Sequence, residues 1–550
     1  MNTAQLLVKC LEEEGVQYIF GIAGEENLAF IDALKDSEKI RFVTVRHEQG
    51  AAFMADVYGR LTGKAGVCLA TLGPGATNLI TGVADADSDG APLVAITGQV
   101  DTDRMHITSH QYLALDKMFE PVTKRTKLVV NPDTINEIVR LAFKYAEGER
   151  PGATHIDLPA DVAKMEVHEG TLPLKRKVAP GEFPEITSLQ LAEDMINEAV
   201  NPVVLVGAGA VRNQAAAELT MFAEGLKIPV INTMMAKGMI PFTSRYAMLT
   251  VGIPQMDYQN MMLEKADLVI CVGYDLMEYA PGKWNRDNGR KILHIDQSPA
   301  HVNQHYQPEV EVIGDIKASL YWLAGHVRVK AESKEMFELK KRLTEEIHQY
   351  DGDDSYPMKP QRILSDIRAV MGEEDILISD VGAHKVWIAR DYHCYKPNTC
   401  IISNGFASMG IAVPGAIGAR FVTADKRILA VTGDGGFMMN CQELETAVRE
   451  HTPFVVLIIN DSAYGLIKWK QLDQYHQTEF CDFTNPDFVK LAESMGAVGY
   501  RVEHAQQLKP FLEQAQKEAF QKRVPVIIDC PVDYSENTRL SQHLKEVTQQ

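Results

Sequence analysis

Apolar runs of strand length alternate with helix-length amphipathic stretches along almost the whole chain. "YIFGIA", "FVTVRH", "GVCLATLG", "PLVAITGQ" and "THIDLP" suit strands covered on both faces of a sheet. Helical patterns lie between them, such as "EQGAAFMADVYGRLTG", which ends in a glycine stop. Strand, crossover helix and strand in succession build an open, mostly parallel sheet. Such a sheet binds ligands beyond the carboxyl ends of its strands.

The rhythm breaks twice. Near 165 it gives way to the charged, proline-bearing "HEGTLPLKRKVAPGEFPEIT". From about Lys330 to Tyr350 a charged helical stretch runs into "DGDDSYPMKP". Between the breaks lie "NPVVLVGAGAV", "KIPVINTMMAKG", "ADLVICVGYD", "RKILHIDQSP" and "VEVIGD"; after them come "DILISDVGAH", "RILAVTGDGG", "FVVLIIND" and "VPVIIDCPV". The expected architecture is α/β in three domains, residues 1–165, 185–330 and 355–535, each a mostly parallel sheet flanked by helices, with a frayed tail after them. A chain of 550 residues suits that number.

Composition narrows the partners. A net charge of -19 argues against nucleic-acid or anionic-membrane surfaces. No run approaches the length of a membrane span, and the N-terminus lacks the basic start and apolar core of a secretory leader. The 8 cysteines are scattered without metal-ligand spacing and read as reduced thiols of a cytoplasmic protein.

The chemistry gathers in "VTGDGGFMMNCQELETAVREHTPFVVLIINDSAYG". Asp434 and Asn460 each end an apolar run, so two oxygen ligands stand at neighbouring strand ends. Mg²⁺ prefers oxygen ligands and usually a phosphate-bearing partner. The glycines of "GDGG" let backbone amides approach a phosphate, and the helix that follows adds its positive end. The stretch therefore reads as a Mg²⁺-diphosphate clamp. A lone GDG is read equally well as a polar strand-end cap, but Asn460 follows after residues 436–459, room for one crossover helix and one strand.

"GDG", a crossover and then Asn resembles the signature of the thiamine diphosphate enzymes. The resemblance implies that Asp434 and Asn460 hold the ion by their side chains and Ser462 by its carbonyl. That family usually has Asn-Asn where this chain has Asn460-Asp461, and Asp461 is not counted among the ligands. In "VTVRHEQGAAFMADVYGR" the resemblance places Glu48 on N1′ of the aminopyrimidine, where a carboxyl must donate a proton inside an apolar pocket. Without the resemblance Glu48 reads as a helix N-terminal acid. "ISNGFASMGIAVPGAIGA" is similar to the segment that bends the coenzyme, with Met409 under the bend and the Ala407 carbonyl facing the amine. Met409 also reads as core filler. Gly24, Pro74, Asn78, Gly382, His384, Gly433, Gly435, Gly436, Tyr464, Gly465 and Leu466 complete the implied coenzyme-binding set.

Residues 3 to 535 resemble acetolactate synthases and their relatives, through "TGKAGVCLATLGPGATNLITGVADADSDGAPLVAITG" and "RPGATHIDLPADV". In "SHQYLALDKMFEPVTK" the resemblance sets Gln111 near the reacting carbons and His110 beside it, as in the catabolic branch. The turn "GYDLMEYAPGKWN" looks like the flavin-free pattern, and "GAGAV" falls short of a dinucleotide fingerprint, so no FAD is expected. Two departures touch the substrate. "IAGEEN" has Ala23 where the family has proline, and "YGLIKWKQ" sets Lys470 at a selectivity position with Trp469 one earlier. Lys470 either binds an acceptor carboxylate or faces solvent.

The implied reaction is decarboxylation of pyruvate and carboligation to a second 2-keto acid, giving 2-acetolactate. The alternatives are a 2-keto acid decarboxylase releasing an aldehyde and a non-catalytic thiamine diphosphate-binding relative. The resemblance also implies a site shared between subunits, hence a homodimer or homotetramer.

Overall fold

Three six-stranded parallel sheets carry the chain, in a computed structural model that describes residues 1–177 and 181–548. Residues 178–180 of the first linker and 549–550 of the tail lie outside the described residues. The first sheet comprises β1 (Tyr18–Gly21), β2 (Arg41–Thr44), β3 (Gly66–Ala70), β4 (Leu93–Gln99), β5 (Arg125–Leu128) and β6 (Ala153–Pro159), in the order β2-β1-β3-β4-β6-β5. The second holds β7 (Pro202–Val206), β8 (Val230–Asn232), β9 (Ala247–Thr250), β10 (Leu268–Val272), β11 (Lys291–Asp296) and β12 (Val310–Ile313), in the order β12-β11-β10-β7-β8-β9. The third holds β13 (Ile376–Ser379), β14 (Cys400–Ile402), β15 (Ile428–Gly433), β16 (Val455–Asn460), β17 (Val498–Arg501) and β18 (Val526–Pro531), ordered β14-β13-β15-β16-β18-β17. The first and third sheets thus share one winding.

Strands β3, β4, β6, β7 and β10 are buried along their whole length, as continuous apolar runs require. The strands that the apolar pattern does not reveal are β5, β9, β14 and β17. Each is an edge strand of its sheet, with a neighbour on one side only. An edge strand tolerates polar residues and short length, and "RTKL" and "VGYR" show it.

The first and third units meet through two helices, Glu48–Thr62 and Ala412–Val422, whose small residues allow close approach. A Cβ on Gly418 would collide with the carbonyl of Met54. Phe53 and Val57 of one unit share a core with Ile378 and Ile417 of the other. The Glu48–Thr62 helix is capped by the His47 ring, which accepts the Gln49 N–H at 3.1 Å, and stops at Gly63 in the left-handed region.

The tail departs from expectation. Residues Ser535–Thr548 form a helix that buries Leu540 and Leu544. Asn537 in that helix accepts the Trp387 indole N–H at 2.7 Å, so the segment is docked rather than frayed.

Candidate active site

A cleft opens at the carboxyl end of the third sheet, where β15 and β16 run out. Asp434 follows β15 directly and starts a short helix. Its Oδ1 accepts the Gly435 N–H at 2.9 Å, and its Oδ2 accepts the Ser462 N–H and the Asn485 amide, each at 2.7 Å. Burial raises its pKa. Gly433, Gly435 and Gly436 line the same wall. At Gly435 the choice is steric, since a Cβ would stand 2.9 Å from the Tyr464 ring.

The opposite wall is the chain after β16. Here the lining residues are Asp461 and Ala463, followed by Tyr464, Gly465 and Leu466. Successive residues of a strand face opposite ways, and the phase decides which acid or amide sees the cleft. Asn460 turns its amide nitrogen to Asp529 at 2.9 Å, while its Oδ1 accepts Asn485 at 3.1 Å. The Ser462 carbonyl accepts the Phe483 N–H at 3.0 Å. Of the three expected ion ligands, Asp434 lines the cleft; Asn460 Oδ1 accepts from the same Asn485 amide as Asp434 Oδ2, and the Ser462 N–H bonds both oxygens, so the three converge on one point. Burial, and then the neighbouring charge of Asp434, push the Asp461 carboxyl up to about 7.

The third wall is the start of the Ala383–Asp391 helix, with Gly382 and His384, and the segment bearing Ala407 and Met409. His384 is buried, which lowers its pKa to about 4, and its Nε2 has no hydrogen-bond partner. Ala407 adopts a left-handed backbone, φ 56°, which an alanine keeps only where its surroundings hold it. They come from the first unit. Asp85 accepts the Ser403 hydroxyl at 2.6 Å and the Ser408 N–H at 3.2 Å, and Asp89 accepts the Asn404 N–H at 3.0 Å. Arg60 bridges this group, bonding Asp56 and Asp89 at 2.6 Å and Asp85 at 3.3 Å.

The remaining expected residues cluster at the carboxyl end of the first sheet. Glu48 is buried, and its Oε2 accepts the Asn78 amide at 2.9 Å. One helix turn gathers the rest. Pro74 begins the Pro74–Asp89 helix between Gly73, which packs on the Gln111 backbone, and Gly75, which faces Glu48 Oε1. Gly24 lies against the Thr71 side chain. Gln111 and His110 are exposed on the loop after β4, whose far end is pinned by Gln99 donating to the Leu113 carbonyl at 3.0 Å. Among the described residues, the cleft of the third sheet is lined from Val381 to Tyr534, and Glu48 is not part of its wall.

Three further placements matter. Trp469 is not at the cleft: its ring is buried beside Trp387, and its N–H donates to Ser541 Oγ at 2.8 Å, because the docked tail helix needs an apolar partner. Lys470, the next residue, is exposed. In the second sheet strand order reverses between β7 and β10, and a buried acid stands at that point. Glu278 accepts the Ala208 N–H at 2.9 Å and the Thr233 hydroxyl, and burial pushes its carboxyl up to about 7. Asp461, Ala463, Asn485 and Tyr534 are the cleft residues that sequence reasoning missed. The terminal Asp of "IIND" was the only visible signal among them.

Comparison with known proteins accounts for all three units. Residues 1–120 match the N-terminal TPP binding domain of thiamine pyrophosphate enzymes, residues 189–323 their central domain, and residues 380–530 their C-terminal TPP binding domain. The chain is 37% identical to the acetolactate synthase of Bacillus subtilis (strain 168), over 98% of this chain and 94% of that protein. It is 34% identical to the catabolic acetolactate synthase of Raoultella terrigena, over 99% and 98%. A probable acetolactate synthase large subunit of Methanocaldococcus jannaschii is 36% identical, over 98% and 93%. A cleft built on a GDG strand end, a buried carboxyl on the first sheet and matches across the full length all agree: the chain belongs to the family of thiamine pyrophosphate enzymes, among the acetolactate synthases and their relatives.

Proposed function

We propose that this protein decarboxylates pyruvate and joins the two-carbon remainder to a second 2-keto acid, giving 2-acetolactate, with thiamine diphosphate and a divalent cation. The observation that carries the reading is the cleft itself: paired acids, glycine amides and an unpartnered imidazole nitrogen face one another at the carboxyl end of a parallel sheet. That donor set fits a Mg²⁺-diphosphate group. Asp434 and Asn460, whose oxygens converge on the Asn485 amide, would supply oxygens to the ion with the Ser462 carbonyl, and the Asp461 carboxyl would stand beside them. Gly433, Gly435, Gly436, Gly382 and His384 would meet the phosphates.

Thiamine diphosphate, when bound, supplies a carbon nucleophile and an electron sink for the loss of CO₂. The protein's part is to position and to move protons. Glu48, with Gly24, Pro74 and Asn78 around it, would hold a proton at the aminopyrimidine ring. Met409 and the Ala407 carbonyl would set the bend of the coenzyme, and Tyr464 and Leu466 would close its diphosphate end. Gln111 and His110, on an exposed loop, would meet the 2-keto acids. The Glu48 group and the ion group belong to separate faces of one chain, so the working unit would be a dimer or larger. Eight unpaired cysteines, seven of them buried, suit the cytoplasm.

The test is incubation with pyruvate, thiamine diphosphate and Mg²⁺, followed by product identification. Acetolactate supports the reading. Acetaldehyde in its place would make the protein a decarboxylase, and no CO₂ from any of a panel of 2-keto acids would leave it a binding protein.

A further inference from the structure

Tyr534 stands in the cleft with an unsatisfied hydroxyl. It follows β18 by three residues and lines the wall beside Asp461 and Gly465. Its ring lies 3.4 Å from where a Gly465 Cβ would be. The hydroxyl is buried, the His384 backbone N–H approaches its oxygen, and it finds no acceptor in the chain.

Everything else about the segment is tied down. The Val532 N–H donates to the Asn460 carbonyl at 3.0 Å and the Asp533 N–H to the Met358 carbonyl at 2.8 Å. The Tyr534 carbonyl accepts the Asn537 N–H at 3.0 Å, and the Asn537 side chain is held by Trp387 at 2.7 Å. A buried polar group is normally paired, so a rigidly placed hydroxyl without an acceptor, on a residue that lines the cleft, calls for a partner from outside the chain. A phenol carries its proton at neutral pH and so is a donor. What it lacks is an acceptor oxygen.

Resting on the reading of the cleft given above, we propose that Tyr534 is a ligand-binding residue whose hydroxyl donates to a phosphoryl oxygen of the diphosphate held beside Asp461. Phosphoryl rather than substrate carboxylate is the choice because Asp461 and Gly465, the neighbours of the ring, lie on the ion-binding wall. The loop of His110 and Gln111 belongs to the first sheet.

The experiment is Tyr534→Phe, which removes the hydroxyl and nothing else. Calorimetric titration of the ligand-free protein with thiamine diphosphate in Mg²⁺ should show about 10–100-fold weaker binding, the range for one hydrogen bond to a charged acceptor. Thermal unfolding of the ligand-free variant should come at the same temperature as wild type or higher, because an unpaired buried hydroxyl has been removed. An unchanged Kd overturns the inference. So does a raised KM for pyruvate with an unchanged Kd, which would hand the hydroxyl to the substrate. A lower melting temperature without ligand would make Tyr534 structural. Failure of the wild-type chain to bind thiamine diphosphate would overturn the reading of the cleft itself, and this inference with it.

Discussion

Glu443 of the third unit accepts the backbone N–H of His47 at 2.9 Å, one residue ahead of Glu48 in the first unit. The same carboxyl accepts the Arg46 N–H at 3.2 Å and the Thr446 hydroxyl at 2.7 Å. A carboxylate from one domain thus caps the helix on which the other domain carries its central acid, and negative charge at a helix N-terminus is favourable. Glu443 begins the helix that follows the Asp434 segment, so the two functional ends of one chain are tied together.

Glu443→Ala strips the acceptor from three donors. It should lower stability by about 2–4 kcal/mol in urea unfolding, given buried donors left unpaired. It should also lower kcat about tenfold with little change in the KM for pyruvate, because Glu48 loses its anchor. Glu443→Gln keeps one acceptor oxygen and should fall between. Wild-type stability in both variants would show that the cap carries no load.

Asp461 and Asn460 compete for one role, and their variants separate them. Loss of a ligand should cost more than loss of a residue that orients a ligand, for which about 10–100-fold is usual. Asn460→Ala should raise the Mg²⁺ concentration needed for thiamine diphosphate binding by more than about 100-fold, and Asp461→Ala by about tenfold. Titration of Mg²⁺ against coenzyme binding, after removal of metal with EDTA, reads both. The reverse order would give the ion to Asp461.

His155 gives the protein an acid limit. Its Nε2 and Nδ1 bond the hydroxyls of Thr97 and Thr126 at 2.8 and 2.7 Å, and its ring stacks on Phe119. Burial pulls its pKa down to about 3. The unfolded chain takes up this proton near pH 6.5, the folded protein only near 3, so the contribution is whole above 6.5 and is lost as pH falls toward 3, by about 1.4 kcal/mol per unit. Asp157, pushed up to about 7 by burial, acts the other way: its contribution is whole below about 4 and is lost as pH rises to 7. In His155→Gln the acid loss disappears. The stability gap to wild type should therefore close by about 1.4 kcal/mol per unit between pH 6 and 4 in urea melts. A constant gap would mean that His155 carries the same charge folded and unfolded.

The alternation of apolar runs was enough to read three parallel α/β units, because interior strands need apolar residues on both faces. It was blind at four of the six edge strands, β5, β9, β14 and β17. Asp434 could be read because a strand end, two glycines and an acid coincide. Asn460 could be read because it ends the neighbouring strand, and its Oδ1 meets Asp434 Oδ2 on the Asn485 amide; Asn485 itself lies on a distant segment that no local pattern ties to the strand ends. Trp469 was misplaced because its partner is a tail helix that looked too polar to dock. Glu443 and Tyr534 owe their positions to contacts between distant parts of the chain, and neither carries a local signature.

The separation of Glu48 from the cleft in one chain makes a claim about the assembly. If each working site joins Glu48 of one subunit to Asp434 and Asp461 of another, a subunit lacking Glu48 and a subunit lacking Asp434 each spoil one half-site and keep the other. Glu48→Gln should lower kcat at least about 100-fold, the scale of a lost general acid, and Asp434→Ala should abolish coenzyme binding. Mixing the two after subunit exchange places both intact halves together in one of the two sites of each mixed dimer. With random pairing half the dimers are mixed, so about a quarter of wild-type activity should return. Recovery can be followed by acetolactate formation against the fraction of mixed dimer, separated by different affinity tags. No recovery, with mixed dimers demonstrably present, would mean that each subunit works with its own Glu48 or that the two groups never meet.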